Sequence, residues 1–291
     1  MKKTIIYKII KKIIIFFLKI IKNIVYIFEK IILLLINKKK DNISPVFIVW
    51  APRSWSTYLY QEITNKLDLY YFSNYLSYFY KSPIIWTIIL KIFGIKIKHN
   101  SFSSDYWNTK WLFSPSECGS FWYRWMPKNR DYVVEKDLNL KQKKEIYKTF
   151  YLLNKITQKE IIFKNLNCWQ RIQALVKIFP NMKIIHIIRN KDDNFKSIYK
   201  WRLNFEKIYW INKNKWWWIR PKNFKKYSNL SIKKQIEKQI TDLNNQIKKD
   251  KLFLKKWHYY EIKYEDFVKK PDFFIEDISI KFNLKYKNNE K

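Results

Sequence analysis

Residues 46–57, Val-Phe-Ile-Val-Trp-Ala-Pro-Arg-Ser-Trp-Ser-Thr, constrain this chain more than any other stretch. Val46 to Val49 is a short apolar run that reads as a buried strand. A tight loop rich in hydroxyls follows, with one arginine, and a helical pattern starts at Thr57. Strand, loop and helix start hold phosphate well, because backbone N–H groups and a helix N-terminus converge on an anion. An anion site at the end of the first strand is therefore expected.

The rest of the chain repeats that alternation. Further strands are expected over 69–73, 160–163, 183–188 and 259–264, and helices over 57–66, 141–158, 170–178, from after the 183–188 strand through Arg202, and over 232–254. Residues 97–130 read as loop-rich and crowded with aromatics. Such a pattern gives a parallel sheet between helical layers, an α/β three-layer sandwich. At 291 residues the chain is long enough to bury a core of normal size.

Ahead of this domain, residues 4–37 mix Ile, Leu and Phe with Lys8, Lys11, Lys12, Lys19, Lys22 and Lys30, and the lysines fall on one side of a 3.6-residue period. No uncharged run approaches the ~18 residues of a spanning helix, and the early lysines spoil a signal-peptide reading. Two readings stand for this segment. It lies on an anionic membrane surface through the lysine face of residues 1–40, or it packs on the domain. The expected division is 1–42, helix and linker, and 43–291, the main domain.

The formal net charge of +35, from 59 basic and 24 acidic residues, points to nucleic acid, an anionic membrane or a polyanionic substrate. Lys, Ile and Asn are all abundant, however, as A+T-rich coding dictates, so much of the charge needs no dedicated partner. Arginine is the rarer cation, at positions 53, 124, 130, 171, 189, 202 and 220. Where coding favours lysine, a retained arginine suggests planar, bidentate recognition. Cys118 and Cys168 are too few for a disulfide framework and suit a reducing cytoplasm. Neither they nor His99, His186 and His258 show metal-ligand spacing, and the histidines read as structural.

A second stretch, Lys183-Ile-Ile-His-Ile-Ile-Arg-Asn-Lys-Asp-Asp-Asn-Phe-Lys-Ser197, places an arginine (Arg189) at a strand end and a serine eight residues on in the next helix. Together with the 46–57 loop it resembles the paired signature of sulfotransferases, whose first loop is Gly-x-Pro-Arg-Ser-Gly-Thr/Ser-Thr. Three further stretches extend the resemblance to bacterial members, from residue 45 to about 284: Ser101–Pro127, with Glu117 ahead of Gly, Phe, Trp, Arg and Trp; Phe163-Lys164-Asn165 at a strand end; and Tyr264-Glu265-Asp266-Phe267-Val268. The resemblance implies a P-loop-like fold. It also implies transfer of a sulfuryl group from 3′-phosphoadenylyl sulfate to an acceptor hydroxyl or amine of a carbohydrate, lipid-linked sugar or small alcohol, with no metal.

By the same resemblance, Arg53 bridges the 5′-phosphate and the sulfuryl oxygens. Ser54, Trp55, Ser56 and Thr57 form the 5′-phosphate loop, Arg189 and Ser197 hold the 3′-phosphate, and Lys164 steadies the sulfuryl group. Glu117 is the first choice as general base, with a salt bridge to Arg124 as its alternative role. The aromatic block Phe121–Trp125 reads as an acceptor wall or as core. A P-loop kinase or NTPase is disfavoured because no Gly-x4-Gly-Lys-Ser/Thr occurs. The non-enzymatic alternative is an inactive member serving as a basic membrane or nucleic-acid binder. No specific nucleic-acid partner is expected, and the expected location is cytoplasmic, peripheral on the inner membrane face.

Two family glycines, at 50 and 55, are tryptophan here. The chain holds 14 Trp and 2 Gly, whereas average usage gives roughly 20 Gly for this length. Glycine at Trp50, Trp55, Trp107 and Trp111 brings four positions into line with the family, and Trp86 and Trp218 also read better as glycine. Trp122, Trp125, Trp216 and Trp217 suit the family as they stand. The favoured reading is that UGA codons for glycine are written here as tryptophan; the other is a diverged, inactive member.

Overall fold

A computed structural model describes residues 20–36, 42–105, 108–165, 168–209 and 219–287. Lys8, Lys11, Lys12 and Lys19, the Lys38–Asp41 joint, and Trp107, Trp210, Trp216, Trp217 and Trp218 lie outside the described residues.

Among the described residues the first element is helix, over 20–35 (α1). It continues through β1 (Val46–Trp50), α2 (Ser56–Lys66), β2 (Leu69–Tyr71), α3 (Asn74–Tyr78) and α4 (Pro83–Ile92). A small hairpin, β3 (Ser104–Asp105) and β4 (Asn108–Thr109), precedes α5 (Gly119–Trp122), α6 (Leu140–Thr157) and β5 (Glu160–Lys164). Next come α7 (Ile172–Ile178), β6 (Lys183–Ile188), α8 (Lys191–Tyr209), α9 (Ile232–Asp250), β7 (Tyr259–Lys263), α10 (Tyr264–Lys269) and α11 (Pro271–Phe282).

The main sheet has the order β2-β5-β1-β6-β7, with every pair parallel. All five β1 residues are buried, as are four of five in β5 and five of six in β6. Apolar runs without alternation are what a sheet covered on both faces requires. β7, at the edge, alternates instead. The chain leaves β1 toward β2 on one side, while β6 pairs on the other. That reversal places a crevice at the carboxyl ends of β1 and β6, where open α/β sheets bind ligands.

An aromatic core stands behind that crevice. Phe47 of β1 lies 6.1 Å from Trp122 and 6.3 Å from Phe150 between ring centroids, and Phe163 of β5 lies 5.0 Å from Phe72. Phe121 and Trp122 are fully buried and Trp125 nearly so, so the 121–125 block is core rather than an acceptor wall.

Within 20–35 the helix packs on the domain and inverts the expected orientation. Lys30 pairs with Glu145 at 2.8 Å, and the Lys22 ammonium sits 3.1 Å from the Tyr78 ring centroid. Leu33 joins the core. Glu29 is fully buried: its Oε2 accepts the N–H groups of Ile84 (2.9 Å) and Ile85 (3.2 Å) at the start of α4, and its Oε1 faces Arg124 Nη1 at 3.6 Å. The outward face carries Ile20, Ile24, Ile27, Ile31 and Leu34 at helical spacing, with Phe28 and Leu35 beside them. The described lysines therefore face the domain and the apolar stripe faces out.

Candidate functional site

Four buried apolar residues and Trp50 carry β1 to the sheet edge, and the chain then turns through Ala51–Trp55 into α2. Arg53 (φ 67°) and Trp55 (φ 57°) both occupy the left-handed region. Each costs roughly 1–3 kcal/mol for a side chain with a Cβ, so the surroundings must hold the loop. They do. Ser54 Oγ donates to the Ala51 carbonyl at 2.7 Å, Asn194 Nδ2 to Pro52 O at 2.6 Å, and Arg189 Nη1 to Arg53 O at 3.0 Å. With its carbonyls pulled back in this way, the loop suits an anion. α2 starts without a side-chain cap, and in its first turn the Tyr58 N–H turns back to the Trp55 carbonyl at 3.1 Å, so no side chain competes with an anion at this helix start.

Trp50 ends β1 in extended conformation and is buried, so its backbone does not ask for glycine. Of the two family glycine positions, only 55 is left-handed. Trp111 and Trp86 are not left-handed either, and Trp86 stacks on Phe79 at 3.9 Å.

The second motif meets the first. Arg53 Nε donates to Ser197 Oγ at 3.1 Å. Arg53, Arg189 and Ser197 thus share one corner, with Arg53 turned toward the residues of the second motif. Tyr264 closes it: Trp55 stacks on the phenol ring at 5.6 Å between centroids and 15° between planes, and the Arg189 guanidinium lies 5.6 Å from that ring. Glu265 Oε1 accepts the Asn190 N–H at 2.8 Å and fixes the turn after β6.

Lys164, the last residue of β5, is 1% exposed. Its Nζ donates to Thr57 Oγ1 at 2.9 Å and to Glu117 Oε1 at 2.6 Å, and it lies 4.9 Å from the Trp50 ring centroid. Burial pushes the ammonium pKa down, and the Glu117 carboxylate opposes this. Asn165 Nδ2 donates to the Glu117 carbonyl at 2.9 Å, so the Lys-Asn pair positions Glu117 from both ends. Arg124, the alternative partner, belongs to Glu29 instead.

Thr57, Glu117, Arg53, Trp55 and Tyr264 line one cavity of about 410 Å³, together with Ser54 and Ser56. Arg189, Ser197 and Lys164 reach it through their bonds to Arg53 and Thr57. Two guanidiniums and an ammonium outweigh one carboxylate here, which suits a phosphate or sulfate ester. Gln61, Phe102 and Ser104 also line the cavity, and Asn194 holds the loop from beneath; the sequence reading missed all four. Asn194 had a signal, since it lies one helical turn before Ser197. Among the described residues no group of three or more His, Cys, Asp or Glu could hold a metal. His99 bonds Thr64 at 2.8 Å, with burial pushing it down to about 4, and His186 bonds Tyr259 at 2.7 Å; neither lines the cavity.

Residues 96–288 match the model of the sulfotransferase family, well over half of the chain. The 46–57 loop lies ahead of the matched span. Three solved structures resemble the fold. A sulfotransferase from Mycobacterium avium is 11% identical with TM-score 0.52, over 84% of this chain and 64% of its own. One from Mycobacterium tuberculosis is 11% identical with TM-score 0.49, over 84% and 68%. The sulfotransferase domain from the curacin biosynthetic pathway is 14% identical with TM-score 0.48, over 84% and 75%. No curated protein sequence matches the chain.

Proposed function

This chain belongs to the sulfotransferase family, and we propose that it transfers a sulfuryl group from 3′-phosphoadenylyl sulfate to a hydroxyl or amine of a small-molecule or glycan acceptor. The observation that carries the reading is the contact of Arg53 with Ser197 in a corner continuous with the Lys164–Glu117 pair. The residues present fit the donor: the held-back loop carbonyls, the uncapped start of α2 and the Arg189–Ser197 corner each suit one of its anionic ends.

The donor supplies an activated sulfuryl group. The chain supplies position and charge, which in-line transfer needs more than covalent chemistry. Arg53 and the Ser56 and Thr57 hydroxyls hold the 5′-phosphate, and Arg189 and Ser197 the 3′-phosphate. Lys164 meets the charge that develops on the bridging oxygen. Glu117 takes the acceptor proton as the acceptor oxygen or nitrogen bonds to sulfur and the sulfur–phosphate oxygen bond breaks. Calorimetry with 3′-phosphoadenosine 5′-phosphate tests the site, and absence of any binding in the chain with glycine at 55 overturns it.

Position 55 enters the same proposal. A left-handed backbone and an indole inside the cavity support glycine in the native protein, with position 50 following from the family pattern alone. Peptide mass spectrometry on the source organism is expected to find Gly at both positions, with Trp retained at 122 and 125.

The proposal also includes peripheral attachment to an anionic membrane through residues 1–40. No helix among the described residues is long and apolar enough to cross a membrane. The exposed Ile24, Ile27, Ile31 and Leu34 stripe supports contact through the apolar face of α1 rather than its lysines.

A further inference from the structure

A second cavity, of about 910 Å³, opens beside edge strand β2, between the C-terminal ends of α4 and α6 and the tail residues 285–287. It shares no lining residue with the first. The tail is tied in place, since the Asp68 N–H donates to Lys285 O at 2.8 Å and the Lys287 N–H to Lys66 O at 2.9 Å.

Six lysines line this cavity, at 91, 96, 98, 159, 285 and 287, against one carboxylate, Asp68. Asp68 is already paired with Lys159 at 2.5 Å. Lysine is about twice as frequent in this lining as in the whole chain, so general lysine richness does not account for the cluster. Burial pushes the Lys287 ammonium down to about 8, and Lys159 and Lys98 push the same way while Asp68 opposes. Gathering like charges in a concavity raises their free energy, and a bound anion relieves it. The floor between the lysines is apolar, with Leu90, Ile95, Ile97 and Ile156. Next to it, α4 ends in Ile92 and Phe93, exposed to 74% and 72%. Lys91 Nζ donates to Ile156 O at 2.8 Å and Lys287 Nζ to Thr64 O at 2.6 Å, which fixes two of the ammonium groups at the cavity wall. Volume, apolar lining and a surplus of positive charge together describe a ligand site.

We infer that this cavity is a second binding site, for an amphiphilic anion: a phosphate- or sulfate-bearing head among the lysines, with its apolar body on Leu90, Ile95, Ile97 and Ile156. The inference does not rest on the donor reading.

Dodecyl phosphate, kept below its micelle concentration and titrated calorimetrically into the full chain, tests it. One-to-one binding is expected, at least tenfold tighter than inorganic phosphate or dodecanol. Lys96→Glu with Lys98→Glu should weaken it at least tenfold. Lys234→Glu with Lys238→Glu, exposed on α9, makes the same change in net charge and should leave affinity within twofold, as should Arg189→Ala in the first cavity. Thermal melts confirm that each variant is folded. Equal weakening in both lysine pairs, phosphate binding as tight as the amphiphile, or no binding overturns the site. Phosphatidylglycerol vesicles identify the source of the head group once the monomer result holds. In a chain whose Ile24, Ile27 and Ile31 are changed to Ser, so that α1 no longer holds the vesicle, vesicle binding lost on adding Lys96→Glu with Lys98→Glu places it in a bilayer. Vesicle binding that is absent or unaffected by that pair places it in solution.

Discussion

Arg53 Nε donates to Ser197 Oγ at 3.1 Å, joining residues 144 positions apart in sequence. Arg189 completes the link by donating to the Arg53 carbonyl at 3.0 Å. Arg189→Ala therefore removes both a ligand charge and a tether on the loop, while Ser197→Ala removes one hydroxyl. Losing a charge-assisted bond costs about 1.5–3 kcal/mol. Both variants should bind 3′-phosphoadenosine 5′-phosphate more weakly in calorimetry, with Arg189→Ala the weaker. Unchanged affinity in both removes the 3′-phosphate assignment.

Glu117→Gln keeps the shape of the site but not its basicity. Activity is expected to fall on the order of 10²- to 10⁴-fold, the usual worth of a general base. Affinity for the bisphosphate should change little. Activity that stays within tenfold of the parent makes Glu117 a positioning partner of Lys164 only. Thermal melting is expected to show destabilisation as well, since Lys164 is left buried without its carboxylate.

Trp55→Gly relieves a left-handed backbone and removes an indole from the cavity. It should raise affinity for the bisphosphate at least tenfold and raise the melting temperature. Trp50→Gly instead empties a buried position beside Lys164 and should be destabilising by itself. Donor affinity that is unchanged by Trp55→Gly counts against glycine at 55.

Glu29 carries a pH dependence. Desolvation raises its carboxyl from 4.5 to about 7, with Arg124 and the Ile85 and Ile84 N–H groups opposing. The folded state then binds the proton more tightly than the unfolded state, so stability falls as pH rises from about 4.5 to 7. Glu29→Gln cannot titrate. Its stability relative to the parent should rise across that window, by roughly 3 kcal/mol at most. Urea unfolding at several pH values measures the difference, and a flat difference removes the assignment.

Removing residues 1–42 takes Glu29 away from buried Arg124 and uncovers the Leu33 contact. The 43–291 chain should remain folded but melt lower, because an unpaired buried charge costs on the order of 3 kcal/mol. It should also lose binding to anionic vesicles. Ile24→Ser with Ile27→Ser and Ile31→Ser should lose that binding without lowering the melting temperature, since these side chains face outward. Vesicle binding that survives the triple change returns the contact to the lysines.

The legible parts of the sequence were those where one local pattern decides. β1, β5 and β6 are each built on an apolar run, broken only by His186 in β6, and their expected bounds fall within one residue of those observed. α4 was not foreseen, because Pro83–Ile92 is apolar almost all round and carries a single lysine, Lys91, to mark a polar face. α11 was missed behind Pro271, which opens it. At the site, the sequence named Arg53, Lys164, Glu117, Arg189 and Ser197, and the fold brings all five together. It could not show that Ser54 spends its hydroxyl on Ala51, or that Arg124 answers to Glu29, since both depend on which chain segments meet in space. The lysines of α1 misled for a related reason: a helical period separates two faces but does not say which one turns inward.

The pairing of β1 with β6 runs in one register, from Val46 against Lys183 to Trp50 against Ile187. That register alone aligns the ends of the two strands and so brings Arg53 opposite Ser197. A slip of one residue would shift Arg189 about 3.3 Å along the strand and turn it to the opposite face. Beyond α2, the long stretch of chain leading to β6 contributes Glu117, Lys164 and a few cavity walls to this junction. Insertions between α3 and α5 leave the strand pair untouched, so that part of the cavity wall can change while Arg53, Arg189 and Ser197 keep their places.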